Sequence, residues 1–229
     1  MNPLTAQSIK QRATELGAAL CGIAPVESFS QAPAGFHPTD VLPGCQSVIV
    51  TAAPFPRTTI ATGTSQAAYT FVRHRVMEKM DRLTFLLAEE LETAGVAASP
   101  IPSSDPYESW DPERRHGQGI LSLKHAAVLA GLGKMGKNTL LVNQRFGNLL
   151  WLGAVLVDAP LAADPVADYC TCPDSCRICL NACPAHALDG VSIEQKKCRE
   201  ISGKFSDGGG YVLACNLCRK VCPNMQGLR

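Results

Sequence analysis

The chain has 229 residues, of which 46% are hydrophobic and 18% charged, and a net charge of +1. That length carries one ordinary domain and a small second one. The balance excludes a disordered or fibrous chain, and near-neutral charge gives no general reason to expect a polyanionic partner. No apolar run approaches the ~18 residues of a membrane span. The start, MNPLTAQSIKQRATELG, is polar, holds Glu15 and lacks the basic and apolar stretches of a signal peptide, so a cytoplasmic protein without membrane contact is expected.

Residues 5–17 place Ile9, Ala13 and Leu16 on one helical face, with Gly17 as a stop. Apolar runs at Leu20–Ala24 and Ser47–Ala53 read as strands, the second bounded by Pro43-Gly44 and Pro54. Residues 66–94 form the longest helical stretch, with Tyr69, Val72, Val76, Met80, Leu83, Leu87 and Leu91 at three- and four-residue spacing and Gly95 at its end. A strand over Val96–Ile101 leads into Pro102–Gly119, rich in Pro, Ser, Asp and Gly, which reads as a long functional loop. Ser122 caps a helix to Ala130, and Asn138–Val142 and Leu149–Val157 read as strands. Alternating helices and strands predict an α/β domain with a central sheet over residues 1–160. The stretch DAPLAADPVADY marks the boundary, and residues 170–229 form the second part. Residues 1–169 carry 13 Lys/Arg against 15 Asp/Glu, whereas 170–229 carry 8 against 5, a basic bias that suits an acidic redox donor or reflects scattered surface lysines.

Eleven cysteines in a reducing compartment do not form a disulfide framework, and nine of them fall between Cys170 and Cys222. The first motif is Cys172-x3-Cys176-x2-Cys179-x3-Cys183-Pro184. The second is Cys198-x16-Cys215-x2-Cys218-x3-Cys222-Pro223. Two-cluster ferredoxins use C-x2-C-x2-C-x3-C-P, in which the cysteine before proline ligates the other cluster. One [4Fe–4S] cluster would then take Cys172, Cys176, Cys179 and Cys222, and the other Cys183, Cys198, Cys215 and Cys218. Cys170 competes with Cys172 as first ligand. The glycine-rich insert at Gly208–Gly210 lets the chain fold back between Cys198 and Cys215. Four-cysteine zinc sites also use C-x2-C pairs, but the repeated Cys-Pro belongs to the ferredoxin pattern. Few large apolar residues occur after Cys170, so metal ligation must supply much of that part's stability. Cys21 and Cys45 read as ordinary buried thiols.

The segment AGLGKMGKN (residues 130–138) satisfies G-x-G-x-x-G, yet a helix precedes it and a strand follows. A nucleotide site needs the opposite order, so the motif reads as a helix end turning into a strand.

This segment, the paired cysteine motifs, ELGAALCGIA near the start and LPGCQSVIVTAAPFP together resemble the epoxyqueuosine reductase family and its shorter iron–sulfur relatives. The resemblance implies an α/β domain similar to cobalamin-processing proteins and reductive dehalogenases, joined to a two-cluster ferredoxin-like module. It also implies a cobalamin between the two parts, with Gly131, Gly133, Gly136, Lys137 and Asn138 beside it. Two departures stand out. The family's proposed acidic proton donor has no counterpart in Arg114-Arg115-His116-Gly117-Gln118-Gly119, and its C-terminal helical-repeat part has none either. With the near-neutral charge, these argue against tRNA as a partner. His116 is the nearest proton donor to the vacated position, set against a solvated loop histidine. Arg114 and Arg115 could hold an anionic group, and His125 reads as a packing residue.

The resulting expectation is a reductase that passes electrons from two [4Fe–4S] clusters to a corrinoid or small-molecule substrate, fed by a small donor of ferredoxin or flavodoxin type. The alternative is a non-catalytic electron-transfer or reductive-activation partner of another protein.

Overall fold

The computed structural model describes residues 4–228; the first three residues of the polar start and the last residue of the cysteine-rich part lie outside them. In chain order the elements are α1 (Ala6–Glu15), β1 (Leu20–Pro25), α2 (Pro38–Val41), β2 (Ser47–Pro54), α3 (Arg57–Ala61), α4 (Gln66–Thr93) and β3 (Ala98–Ile101). There follow β4 (Ser109–Asp111), β5 (His116–Gln118), α5 (Leu123–Leu129), β6 (Lys134–Met135), β7 (Leu141–Val142) and β8 (Leu150–Val157). The cysteine-rich end adds α6 (Ile178–Asn181), α7 (Gln195–Ser202), β9 (Gly203–Phe205), β10 (Tyr211–Leu213) and α8 (Leu217–Lys220).

Four strands form the central sheet in the order β1-β2-β8-β3, with every neighbouring pair antiparallel. The expected central sheet with helices is present, but none of its ladders is parallel. β2 and β3 run in the same direction, joined by a crossover through α4, and β8 arrives later in the chain to pair between them. Strand β2 reads SVIVTAAP, with all but its last residue buried, because both faces are covered. Period-2 alternation sends Ile49 and Ala53 to one face and Val48, Val50 and Ala52 to the other. The first face packs with Val155 and Val157 against Met80, Leu83, Leu87 and Leu91 of α4 and Ile9 and Ala13 of α1. The second packs with Ala154 and Leu156 against Ala126 and Ala127 of α5 and Ala130 just past its end. Burying either face removes apolar surface worth roughly 1.5–3 kcal/mol per large side chain.

Local chemistry explains the element ends. Thr5 and Ser8 form a reciprocal capping box at the start of α1, and the Ser65 hydroxyl accepts from the Ala68 N–H at the start of α4. Gly95, with φ +86°, ends α4 as expected. Three expectations are refined. The loop Pro102–Gly119 contains the β4–β5 hairpin. The strand expected at 138–142 shrinks to β7, because Asn138 Oδ1 accepts from the Leu140 N–H and Thr139 takes φ +58°, which makes a turn. Ser122 precedes α5 without a capping hydrogen bond, its hydroxyl lying 2.7 Å from His125 Nδ1 instead. Among the described residues no helix is long and apolar enough to cross a membrane.

After β8 the chain is stapled to the sheet. Asp164 accepts the Ile23 N–H at 2.8 Å and pairs with Lys10 at 2.5 Å. Among the described residues from Cys170 onward, the buried hydrophobic ones are Cys179, Ala187, Val212 and Met225. The insert between Cys198 and Cys215 folds back as the β9–β10 hairpin, with Gly209 at φ +83° in its turn.

Candidate cluster site and the adjoining cavity

Short helices α6 and α8 carry Cys179 and Cys218, the second cysteine of each C-x2-C pair, and α7 carries Cys198. The thiols separate into two sets that act on one another electrostatically. Burial pushes the Cys179 thiol up, and the neighbouring Cys222, Cys172 and Cys176 push it further. Cys222 is likewise raised by burial and by Cys172 and Cys176. In the second set, burial raises Cys218 to about 11, with contributions from Cys215, Cys198 and Cys183 that offset the pull of Arg219. Cys198 is raised by burial and by Cys215 and Cys183. Cys172, Cys176 and Cys222 thus act on Cys179, and Cys183, Cys198 and Cys215 on Cys218, while among the described residues no three such side chains are grouped closely enough to hold a single metal ion. Cys170 is exposed. Cys45 is buried, and burial raises Cys21, packed against the sheet core, to about 12.

The glycine segment lies against the cysteine loops. Lys137 Nζ donates to the carbonyls of Pro173 (2.9 Å), Asp174 (2.8 Å) and Cys176 (3.2 Å). Asn138 Nδ2 donates to the Cys218 carbonyl at 3.1 Å. The glycines allow close backbone approach: a Cβ on Gly131 would strike the Pro165 carbonyl, one on Gly133 would lie 2.5 Å from the Val142 carbonyl, and one on Gly136 would lie 2.9 Å from Asn138 Oδ1. At Gly131 and Gly133 the space a side chain would take is filled by backbone, and Lys137 and Asn138 grip the cysteine loops.

Other gripping residues carried no sequence signal. Buried Arg219 donates to the Asn148 carbonyl and stacks over Phe55 at 4.8 Å, while Asn148 Nδ2 donates back to the Arg219 carbonyl at 3.2 Å. Burial pulls the Arg219 guanidinium down from its ordinary range. Tyr169 donates to the Val142 carbonyl and Thr171 to the Met135 carbonyl. Lys124, lowered by burial and then by Arg219, donates to the Thr139 carbonyl.

His116 stands on β5 and lines a cavity of about 460 Å³ with Glu113, Arg114, Glu194, Gln195 and Lys196. Half of that lining comes from the β4–β5 hairpin and half from residues 194–196, at the start of α7, the helix that bears Cys198. Arg115, at the hairpin tip, takes φ +48° and is exposed. His125 is exposed and paired with Ser122.

The fold is similar to that of a class of solved reductases. The epoxyqueuosine reductase of Streptococcus thermophilus superposes with a TM-score of 0.66 at 19% identity, covering 97% of this chain and 66% of that one. A reductive dehalogenase structure that describes B12-dependent dehalogenation gives 0.65 at 20% identity, covering 95% of this chain and 31% of that one. In sequence, the chain is similar to the epoxyqueuosine reductases of Leadbetterella byssophila (32% identical over 111 residues, 42% of this chain and 35% of the relative) and Cellulophaga algicola (27% over 188 residues, 74% and 54%). The chain spans between about a third and about half the length of the curated relatives it matches. No family model matches. The resemblance read from the motifs therefore stands.

One expectation is overturned. The argument against tRNA as a partner conflicts with a solved epoxyqueuosine reductase holding an epoxyqueuosine-modified tRNA stem loop, which matches with a TM-score of 0.63 at 20% identity over 97% of this chain and 66% of that one. Net charge governs long-range attraction and says little about a local contact surface, so a value of +1 was no ground for exclusion.

Proposed function

We propose that this chain is an iron–sulfur reductase with two parts, residues 1–160 and 170–229, and that it reduces an acceptor bound beside His116. What supports this reading is the repeated Cys-Pro motif, together with the influence of Cys222 on Cys179 in one set and of Cys183 on Cys218 in the other, each the Cys-Pro cysteine of the opposite motif. That donor set fits two [4Fe–4S] clusters, which supply one-electron storage and transfer when bound. Cys172, Cys176, Cys179 and Cys222 hold one and Cys183, Cys198, Cys215 and Cys218 the other. Lys137 and Asn138 hold the ligand loops through their carbonyls.

A corrinoid is the acceptor suggested by likeness to the B12-dependent dehalogenase. At Gly131 and Gly133 an added side chain would meet backbone, and Lys137 and Asn138 are engaged with the cysteine loops, so this turn has only backbone N–H groups to offer a corrin ring. We place the acceptor at the cavity lined by His116. There Arg114 and Lys196 are balanced by Glu113 and Glu194, and the His116 imidazole is the proton donor offered to the acceptor.

Anaerobically prepared protein should carry about eight irons and eight sulfides per chain. Cys198→Ala should lower that content and Cys170→Ala should not. Zinc without sulfide would sink the reading. His116→Ala should slow turnover about 100-fold while leaving reduction of the iron centres by dithionite unchanged. Cobalamin titration followed by visible spectroscopy tests the corrinoid separately.

A further inference from the structure

The β4–β5 hairpin has little to hold it in place by itself. Only Gly117 of its six strand residues is buried, and two short strands alone are marginal in water. Among the described residues, every hydrogen bond that leaves residues 107–118 goes to Gln195 or Arg199 of α7. The Gln195 amide reads the Gly117 backbone from both sides: Oε1 accepts the Gly117 N–H at 3.0 Å, and Nε2 donates to the Gly117 carbonyl at 3.0 Å. Arg199 donates to Gln195 Oε1 at 3.0 Å and to the Tyr107 hydroxyl at 2.9 Å. Its guanidinium also covers the stacked rings of Tyr107 and Trp110, at 5.4 and 5.0 Å. Gly117 is required here because a Cβ would meet the Tyr107 ring at 2.7 Å.

Helix α7 is equally dependent. Its eight residues include no buried one, and a helix that short does not persist alone. Cys198, in its middle, lies with the second thiol set. The dependence thus runs in one line, from ligation at Cys198 to α7, from α7 through Gln195 and Arg199 to the hairpin, and from the hairpin to His116. The cavity itself is the gap between these two elements, with three lining residues on each side.

We infer that Gln195 is a positioning residue that makes the His116 cavity conditional on a loaded cluster: the site assembles only when Cys198 is ligated. An acceptor is then held only by protein able to reduce it. The inference rests on the cluster reading above, and the experiment separates the two.

Hydrogen exchange is measured on full-length protein, anaerobically loaded and after iron removal, with iron and sulfide assayed in each sample. Loaded protein should protect both 195–202 and 107–118, and iron removal should release both while β2 and β8 stay protected. Gln195→Ala should keep its iron and the protection of 195–202, yet exchange about tenfold faster across 107–118, the effect of losing two backbone-directed hydrogen bonds. Gln195→Glu, which keeps the acceptor and loses the donor, should fall between. Unchanged hairpin exchange in iron-loaded Gln195→Ala, or a hairpin equally protected without iron, would overturn the clasp. Absence of iron and sulfide from the anaerobic preparation would instead overturn the cluster reading.

Discussion

At the scale of single residues, two side chains make sharp predictions. Asp189 accepts from the Ser192 N–H and hydroxyl and from the Val191 N–H, which together hold its carboxyl at about 2. Its unfolded value is the ordinary 3.8. The folded pKa is thus depressed, so the stabilisation is full above the unfolded value and is lost as pH falls through the folded one. A carboxyl NMR titration should show a midpoint at about 2, with the turn at 189–193 loosening on the acid side; a midpoint at the unfolded value would refute the bonding. Arg219 is the opposite case, a buried cation that binds the Asn148 carbonyl and lies over Phe55. Arg219→Ala should cost about 3 kcal/mol, read by urea unfolding, and should lower iron content because the Cys218 carbonyl is held by Asn138 close by.

At the scale of elements, the segment 131–148 acts as the mounting plate for the cysteine loops. Lys137 is the clearest part, a single ammonium satisfying three carbonyls of the loop between Cys172 and Cys176. Lys137→Met keeps the stem and removes the donors, and should lower iron to about four per chain with the sheet unaffected by circular dichroism. Gly131, at φ +74° with the Pro165 carbonyl where a Cβ would go, tolerates no side chain. Gly131→Ala should cost more than about 1 kcal/mol, measured by thermal melting. The glycine motif looked like a ligand loop in sequence because glycine marks close approach without saying of what. Here the approaching group is the chain's own backbone.

At the scale of the whole molecule, stability is divided unequally. The sheet buries two apolar faces, whereas residues 170–228 bury four hydrophobic side chains. A structural metal can supply on the order of 10 kcal/mol to such a segment. Iron removal should therefore unfold residues 170–228 while hydrogen exchange in β2, β8 and α4 stays slow; uniform protection across the chain would refute that division. The two parts nevertheless meet over many contacts, among them Asn148 with Arg219, Thr171 with Met135 and Asn138 with Cys218. Loss of the cysteine part should thus expose Phe55, which the Arg219 guanidinium covers at 4.8 Å.

The sequence by itself determined the elements whose signals are local. The apolar spacing of α4 and the β-branched run of β2 set helix and strand, and the Cys-Pro motifs set which thiols could share a cluster. Strand direction was not local. β8 pairs with β2 and β3 across intervals of about a hundred and about fifty residues, and periodicity carries no information about the partner, so only the folded chain made the sheet antiparallel. The same holds for the site. His116 and Cys198 lie 82 positions apart in sequence and become related through Gln195, whose amide meets Gly117 only after α7 and the hairpin are in place. Hydrogen bonds between a side chain and a distant backbone leave no pattern in sequence, because any residue supplies the backbone half.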